Sequence, residues 1–351
     1  MLDISLIVNR DKWISYYSAA KAVKVTTALF KMHSFHSMSR IALLIQETPT
    51  LEDGNYLRFA RELDKSGHSV DIMFVDSLRL LAGRVTADAF SWRSHLKSGS
   101  PLPTSAECKI DHDVIWIFGL GDRENFLDKY QLLYSLPERC KIVNSLDAIM
   151  HLKSKYYLAS QGDQFPSPET YASTSAEELI SIVQANEGKW IVKPPAGSLG
   201  RDVHLTHAGD SQLTVIIKKL CGVDNSSYTM LQRYIPEIEQ GEKRVLLAGG
   251  QVIGQYLRRP LGDHRTNITA GAKTEPCGLS EAERDYCTKL AQQILSRGAW
   301  FAGVDLVYPW LIEVNVINPG GITTIDKLTG CDLSAKVVEA VMASLDQTRV
   351  P

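Results

Sequence analysis

The stretch that most constrains this chain is a predicted hairpin near its C-terminus, FAGVDLVYPWLIEVNVINPGG at residues 301–321. Two apolar, β-branched runs flank the segment 308–310, a composition typical of two strands joined by a tight turn. Glu313 and Asn315 are two residues apart and so share one face of their strand, while Asp305 sits at about the same level of the partner strand. The pattern therefore predicts three oxygen-bearing side chains that converge on one face.

Polar side chains inside an apolar strand are costly to bury unless a partner compensates them. A hard divalent cation is such a partner, since Mg²⁺ is held by one or two carboxylates and keeps positions for water and substrate phosphates. The alternative is an exposed hairpin face with ordinary polar residues, which the short D-x7-E-x-N pattern does not exclude. The segment Asn318-Pro319-Gly320-Gly321 slightly favours the metal site, because such a loop can bring backbone amides close to a ligand.

The size, charge and cysteine content of the chain indicate a broad class. At 351 residues the chain is long enough for two or three domains. Its 38 Lys and Arg against 40 Asp and Glu leave no basic excess for nucleic acid or a membrane surface, so the predicted partners are small molecules. The six cysteines form no C-x-x-C pair and no zinc-finger spacing, and no apolar run approaches the roughly 18 residues of a membrane span. We therefore expect a cytoplasmic protein.

The first 37 residues differ in composition from the rest of the chain. They carry Asp3 and Asp11 as their only acids, and a basic run with serine and histidine at 21–36. An acid-poor segment fits a targeting peptide, but arginine is scarce and no cleavable apolar core is present. We favour the alternative that the working chain begins at Met38 and that residues 1–37 are a disordered extension or a misplaced start.

Strands and helices alternate from Ile41 onward. The sequence predicts strand, helix, strand, then a Ser/Pro/Gly-rich region, then strand, helix, strand and a long helix from Leu146 to about Ser160. This alternation is typical of an open, mostly parallel sheet covered by helices, so residues 38–160 are predicted to form an α/β domain. No G-x-G-x-x-G follows the first strand, which argues against a Rossmann domain and hence against a dehydrogenase.

A proline-containing connector, QGDQFPSPET at 161–170, precedes a different pattern. Residues 161–231 are predicted to form a small α+β domain with two helices between short strands. Residues 232–351 are predicted to form a second α+β domain with two strands, a polar loop at 259–271, a long helix, the hairpin and a closing helix.

Lys193 ends one of the short strands and is followed by PPAGSLGRD. A lysine beside a glycine-containing loop can place its ammonium on a phosphate while the loop amides cradle the others, and Gly197 and Gly200 allow close backbone approach. The alternative is an ordinary surface turn, since G-x-x-G alone is a weak pattern. A Walker A loop is excluded because G-x-x-x-x-G-K-[ST] is absent.

Basic residues recur where the later strands would line the same cleft. They are Lys155, Arg244, Arg258, Arg259 and Arg265, with Asn267 close to the last of them. Each one alone is most simply a solvated charge. Together they would supply the positive clamp that phosphoryl transfer needs, with a metal neutralising the remaining charge.

The order of these motifs resembles the ATP-grasp superfamily and, within it, the bacterial glutathione synthetases. The matching phrases are SPETYAS, WIVKPPAGSLG, LQRYIPEIEQGEKRVLLAGGQVIGQYLRRP, TNITAGAKTEP and the hairpin. The likeness runs from about residue 41 to the C-terminus and is strongest after residue 160. It implies an ATP-grasp fold: an open parallel α/β domain ahead of the ATP-grasp core, a small α+β lid domain and a C-terminal α+β domain.

The resemblance also implies roles for single residues. It implies an ATP site made of Lys155 (with Lys153 as the alternative), Lys193, the lid loop Gly197, Ser198, Leu199 and Gly200, the adenine hinge Gln232, Arg233, Tyr234 and Ile235, and Lys243. It implies that Mg²⁺, with Mn²⁺ as the other candidate, is bound by Asp305, Glu313 and Asn315. Around the γ-phosphate and the acyl phosphate it implies Arg244, one of Arg258 and Arg259, and Asn267. It implies a substrate loop made of Asn318, Pro319, Gly320 and Gly321.

The implied activity is that of an ATP-dependent carboxylate–amine ligase, which glutathione synthetase exerts on γ-glutamylcysteine and glycine through an acyl phosphate. The resemblance also implies a homo-oligomer, a tetramer. Two departures concern the substrates. Residues 117–123 read IFGLGDR where the family has an Arg-x-Asp-Pro-Pro-Phe-Asp-like phrase, and the substrate loop reads Asn-Pro-Gly-Gly in place of Ser/Thr-Pro. The alternatives are a ligase for another peptide or a protein tail, and a nucleotide-binding scaffold without catalysis.

Overall fold

The computed structural model describes residues 38–122, 124–195, 202–262, 266 and 271–347. The predicted extension at 1–37 lies outside these residues. The part that the structure describes contains three sheets, whose strands lie within residues 40–143, 170–233 and 242–315.

The first sheet has seven strands and a parallel centre. In chain order its strands are β1 (Arg40–Ile45), β2 (Ser69–Phe74), β3 (Arg79–Leu81), β4 (Arg84–Ser91), β5 (Ala106–Lys109), β6 (Val114–Ile117) and β7 (Lys141–Val143). Strands β2, β1, β6 and β7 pair in parallel in that spatial order, as the β-α-β alternation predicts. Their runs of apolar residues are buried on both faces, since helices cover the sheet.

An antiparallel extension of this sheet was not predicted from the sequence. Strand β4 pairs with β2, β3 and β5, all antiparallel. The β4 sequence RVTADAFS mixes small and polar residues, and β5 contributes only four residues, so neither carries a strong apolar alternation.

Four helices accompany the first sheet. They are α1 (Asn55–Lys65), α2 (Phe126–Tyr134), α3 (Leu146–Leu152) and α4 (Lys155–Ala159). The single long helix predicted from Leu146 is thus divided in two. Ser154 has an extended backbone, and its hydroxyl accepts a hydrogen bond from the Tyr156 amide at 3.2 Å. This N-cap restarts the helix at Lys155.

The second sheet is antiparallel and forms the small lid domain. Its spatial order is β10-β9-β11-β8, with β8 (Thr170–Ser173), β9 (Lys189–Lys193), β10 (His204–His207) and β11 (Thr229–Arg233). Helices α5 (Ala176–Ala185) and α6 (Leu213–Cys221) pack on it through a separate apolar core that includes Trp190, Leu231 and Ile217. Strand β11 continues across residue 231, where the sequence places a domain boundary; the boundaries themselves stay a prediction.

The third sheet carries the hairpin. Its antiparallel order is β14-β13-β12-β15-β16, with β12 (Glu242–Ala248), β13 (Gln251–Arg259), β14 (Lys273–Glu275), β15 (Phe301–Val307) and β16 (Trp310–Asn315). Helix α7 (Glu281–Ser296) begins with a capping box between Ser280 and Glu283 and packs on β12 and β13. Helices α8 (Ile322–Thr329) and α9 (Ser334–Gln347) follow, and α8 was not predicted from the sequence.

A buried asparagine joins the first and third sheets. Asn144 follows β7 and is 2 % exposed. Its side-chain amide donates to the carbonyls of Phe301 at 2.6 Å and Val316 at 2.7 Å, and its oxygen accepts from the Phe301 amide at 2.9 Å. Backbone groups at the start of β15 and just beyond β16 are therefore satisfied by the N-terminal domain, which fixes the hairpin against it.

We expect Asn144→Ala to lower the free energy of unfolding by about 2–4 kcal/mol, because three buried backbone groups lose their partners. Urea unfolding followed by circular dichroism measures the change. Asn186→Ala is the matched control, since Asn186 makes a single hydrogen bond, at 2.8 Å to the carbonyl of Ile182. Equal destabilisation by the two variants would contradict the role given to Asn144.

Candidate functional site

The site is centred on the buried carboxylate of Asp305 in β15. Arg244 lies directly across on β12 and donates to both carboxylate oxygens, from Nε at 2.5 Å and from Nη2 at 2.9 Å. Arg258 on β13 adds a third contact, from Nη2 to Oδ1 at 2.5 Å. Burial alone would raise the pKa of Asp305, but the two guanidinium groups lower it to about 2, so the carboxylate stays ionised.

Glu242, which is not among the residues predicted from the sequence, extends this ion-pair network. Its Oε2 accepts from Arg258 Nη2 at 2.6 Å and from the Thr266 hydroxyl. Burial raises the pKa of Glu242, while Arg258 opposes the rise. Glu242 and Arg244 are two residues apart on β12 and so share a face. The alternation in Glu242-Lys243-Arg244 is the sequence feature that places Glu242 on the same face as Arg244.

Two lysines reach the same site from different elements. Lys155, the first residue of α4, donates to Glu313 Oε1 at 2.8 Å. Lys193, the last residue of β9, donates to Gln232 Oε1 on β11 at 2.7 Å. Burial and then the nearby Lys155 charge lower the pKa of Lys193 to about 7, with Glu313 opposing the shift. Lys193, Lys155 and the hairpin therefore belong to one site. Lys155 is buried and Lys153 is exposed, so the structure favours Lys155 over its alternative.

The predicted metal ligands lie together on the hairpin. Asp305 and Glu313 are opposite each other in the strand register, and the Asn315 amide nitrogen is 3.4 Å from Asp305 Oδ2. Carboxylate and amide oxygens are hard donors that suit Mg²⁺. The oxygens are held by cationic side chains, Arg244 and Arg258 at Asp305 and Lys155 at Glu313. This donor set fits Mg²⁺, and binding would exchange side-chain cations for a metal ion.

Two basic residues in the predicted set lie elsewhere. The side chain of Lys243 alternates to the opposite face from Arg244 and pairs with Glu283 at the start of α7, at 2.7 Å to each carboxylate oxygen. The side chain of Arg259 points away from Arg258 and pairs with Glu275 at 3.0 Å. We therefore correct the prediction by omitting Lys243 from the ATP site and by choosing Arg258 over Arg259.

The predicted hinge leaves the lid domain at the end of β11. The side-chain oxygen of Gln232 accepts from Lys193, and its side-chain amide donates to the Thr170 hydroxyl at 3.0 Å. The Arg233 side chain lies 3.7 Å from the centre of the Trp190 ring and pairs with Glu169, so it serves the lid structure. Tyr234 donates its backbone amide to Lys189, and both Tyr234 and Ile235 are buried. Their predicted contact with adenine stays a prediction.

Several predicted residues lie outside the described part of the chain. These are the lid-loop residues Gly197, Ser198, Leu199 and Gly200, and Arg265 and Asn267 in the polar loop. Their assigned roles stay predictions.

The predicted substrate loop is held from two sides. Asn55, the first residue of α1, donates its side-chain amide to Asn318 Oδ1 and to the Pro319 carbonyl, both at 2.9 Å. Arg244 Nη1 donates to the Gly320 carbonyl at 2.9 Å. A Cβ on Gly303 would lie 2.8 Å from Pro319 Cβ, so the loop rests directly on β15. The loop is thereby tied to the arginine that holds Asp305.

The segment after β6, which departs from the family phrase, is held by hydrogen bonds and an ion pair within the N-terminal domain. The Asp122 amide donates to Asp76 Oδ1 at 2.9 Å, and Lys129 pairs with the same carboxylate. Gly121 has φ of +63°, and a Cβ there would lie 2.0 Å from Asp76, so only glycine fits.

A second cluster of polar side chains lies in the first sheet. Ligand atoms of Asp71, Cys108 and His112 lie within 4.8 Å of one another. Arg40 Nη2 is 3.2 Å from Asp71 and 3.5 Å from the Cys108 sulfur, and His112 Nε2 is 3.0 Å from the same Asp71 oxygen. A guanidinium already compensates the carboxylate, so the cluster is an ion-pair network rather than a cation site.

Comparison with known proteins indicates the family of this chain. Residues 158–330 match the family described as prokaryotic glutathione synthetase, ATP-grasp domain. The chain belongs to the ATP-grasp superfamily. The same fold occurs in D-cycloserine synthetase DcsG, with a TM-score of 0.60 and 13% identity over 87% of this chain and 99% of that one. It also occurs in ATP-grasp ligase PsnB complexed with a precursor variant, Mg and ADP, with a TM-score of 0.57, 15% identity and coverage of 88% and 99%.

Curated relatives of this chain include glutathione synthetases. The protein from Synechococcus elongatus is 28% identical over 60% of this chain, and that from Thermosynechococcus vestitus is 31% identical over 58%. These alignments span 64% and 63% of the two relatives, which is less than two thirds of either. The protein from Mesorhizobium japonicum is 23% identical over 86% of this chain and 97% of its own length. Among the described residues, no helix has both the length and the apolarity to cross a membrane.

The two adjacent arginines of this ATP-grasp chain provide a test of the site. We expect Arg258→Lys to lower phosphate release about 100-fold or more, because the shorter lysine side chain cannot place a donor where Arg258 Nη2 contacts both Asp305 and Glu242. Arg259→Lys is the neighbouring control and should change the rate by no more than about two-fold, as its pair with Glu275 is partly exposed. Steady-state phosphate release measures both, and a reversed order would contradict the assignment.

The lowered pKa of Lys193 provides a second test. We expect the protein to take up a proton when it binds an ATP analogue at about pH 8, and to take up much less at about pH 6. The reason is that phosphate raises the pKa of Lys193, which is close to neutral pH before binding. Lys193 has a pKa of about 7, so it is mostly protonated below that pH and gains a proton on binding only above it. Calorimetry in buffers of different ionisation enthalpy measures the uptake. Lys193→Met should abolish it, and uptake that persists in this variant would contradict the assignment.

Proposed function

We propose that this chain is an ATP-dependent carboxylate–amine ligase that uses Mg²⁺ and acts in the cytoplasm. The observation that carries the proposal is the convergence of Lys155 and Lys193 with Asp305 and Glu313 in one site. Such a site combines cations for a polyphosphate with oxygen ligands for a metal, which is what phosphoryl transfer from ATP requires.

In the proposed reaction, a substrate carboxylate oxygen attacks the γ-phosphorus of ATP, and the bond to the β–γ bridging oxygen breaks to release ADP. An amine then attacks the carbonyl carbon of the acyl phosphate, phosphate leaves, and the amine loses a proton as the amide forms. No protein nucleophile takes part. Catalysis then depends on orientation of the reactants and on stabilisation of developing charge.

The residues of this chain have distinct tasks in that scheme. Lys193 and Lys155 would bind phosphate oxygens, and protonation of Lys193 would be favoured once phosphate compensates its burial. Arg244 and Arg258 would turn from Asp305 toward the transferred phosphoryl group. Asp305, Glu313 and Asn315 would hold Mg²⁺, which when bound supplies positive charge to the phosphate oxygens.

We propose γ-glutamylcysteine and glycine as the substrates, with glutathione as the product. The support is the family matched by residues 158–330 and the glutathione synthetases among the relatives. The predicted homo-oligomer belongs to the same proposal and rests on the resemblance alone.

A ligase for another peptide or a protein tail is the second candidate. Two observations favour it: the residues at 117–123 and 318–321 depart from the family phrases, and several proteins with this fold are peptide ligases, among them macrocyclase MdnC from Microcystis aeruginosa bound with its precursor peptide. Phosphate release measured across a panel of dipeptides, amino acids and peptide tails separates the two candidates. ATP binding without phosphate release for every pair would instead indicate a scaffold without catalysis.

We expect Mg²⁺- and ATP-dependent phosphate release with γ-glutamylcysteine plus glycine, and background release when either is omitted. Glu313→Gln should lower the rate about 100-fold or more, because a neutral amide is a weak Mg²⁺ ligand. Stability should change by less than about 1 kcal/mol, since the introduced amide oxygen can still accept the hydrogen bond of Lys155 and the Glu313 side chain is 30 % exposed. Glu62→Gln breaks a surface pair of the same length, 2.8 Å to Lys65, and is the control. Wild-type turnover by Glu313→Gln would refute the metal assignment.

A further inference from the structure

Asn55 connects the N-terminal domain to the substrate loop. It is the first residue of α1, 263 positions before Asn318, and its side chain is buried, with 5 % of the residue exposed. Its amide group donates both protons to the loop, one to Asn318 Oδ1 and one to the Pro319 carbonyl, each at 2.9 Å. Both donor positions of this amide are therefore used on a loop of another domain.

The loop backbone needs such support. Asn318 has a φ of +44°, which is an uncommon conformation for a residue with a side chain. Behind the loop, Pro319 rests on Gly303, and Gly321 lies against Leu246 and Tyr256, where added Cβ atoms would be crowded. The loop is therefore packed on one side, and Asn55 and Arg244 donate hydrogen bonds to its carbonyl groups.

The direction of these carbonyls decides which groups the loop presents. In a trans peptide the C=O and the following N–H point in opposite directions. Because the Pro319 carbonyl points to Asn55, the Gly320 N–H points away from Asn55. A Gly320 N–H oriented in this way suits an oxygen of a carboxylate or an acyl phosphate.

We propose that Asn55 is a positioning residue that sets the affinity for the carboxylate substrate by fixing the orientation of the Pro319–Gly320 peptide. Asn55 acts through the loop, since its hydrogen bonds among the described residues go to Asn318 and Pro319. The inference rests on the proposed ligase function. The contact between Asn55 and Asn318 also gives a role to the Asn-Pro-Gly-Gly sequence. Asn318 supplies a side-chain amide oxygen to Asn55, whereas a Ser or Thr at this position would supply a hydroxyl oxygen closer to its backbone.

The test compares Asn55→Asp with Ala60→Gly. Asp keeps the shape of Asn and is favourable in the first turn of a helix, but it cannot donate to Asn318 or Pro319. Ala60 is a fully buried residue of the same helix, so Ala60→Gly weakens α1 without changing a contact of the loop. Three quantities are measured for each: KM of γ-glutamylcysteine, kcat, and Kd of an ATP analogue.

We expect Asn55→Asp to raise KM for γ-glutamylcysteine about ten-fold, because both hydrogen bonds that orient the loop are lost, and to change Kd of the ATP analogue by less than about two-fold. Ala60→Gly should lower the melting temperature and leave KM within about two-fold of wild type. A merely structural role of Asn55 would instead give the Ala60→Gly result in both variants and would overturn the inference. Should Asn55→Asp fail to fold, Asn318→Ala removes one of the same contacts and must raise KM with the same selectivity.

The outcomes separate the inference from the proposed function. Wild-type protein without turnover for any acid and amine refutes the ligase proposal, and with it the role of Asn55 in substrate affinity. Active wild type with an unchanged KM in Asn55→Asp refutes the inference alone. A crystal structure of Asn55→Asp gives a second reading: the inference expects the Pro319–Gly320 peptide to change orientation, and an unchanged loop contradicts it.

Discussion

The ion pairs of Asp305 determine the geometry of the whole site. A carboxylate buried in the middle of a sheet is tolerated only with full compensation, and two guanidinium groups from adjacent strands provide it. Because Arg244 also binds the Gly320 carbonyl, the same network fixes the substrate loop. Because Arg258 also binds Glu242, it fixes the start of β12. One buried charge thus sets the positions of three strands and one loop.

The cationic half of the site is brought in by elements outside that sheet. Lys155 starts a helix of the N-terminal domain, and Lys193 ends a strand of the lid domain. Burial and then the nearby Lys155 charge disfavour the ammonium form of Lys193, and the lowered pKa of Lys193 expresses that cost. Phosphate binding would remove the cost. The site therefore holds unfavourable electrostatic energy that a polyphosphate ligand can relieve.

Local patterns predicted the site better than they predicted the sheet edges. The facing positions of Asp305 and Glu313 follow from two apolar runs and one turn, since side chains alternate strictly along strands. Hydrophobic periodicity does not predict strands β3, β4 and β5, because they are short or rich in small and polar residues. Helix α8 follows a glycine pair that suggested a loop, and its first helical hydrogen bond is accepted by the Gly321 carbonyl.

The sequence by itself determined the ATP-grasp order of motifs, the hairpin with its three oxygen-bearing side chains and the two lysines predicted to bind phosphate, because each depends on residues close together in the chain. The tertiary structure decided which charged neighbours face the site: Arg258 rather than Arg259, and Glu242 and Arg244 rather than Lys243. It also decided the contact of Asn55 with a loop 263 residues away. The physical reason is that strand twist, register and domain packing select the buried face, and a linear pattern of charges does not record that choice.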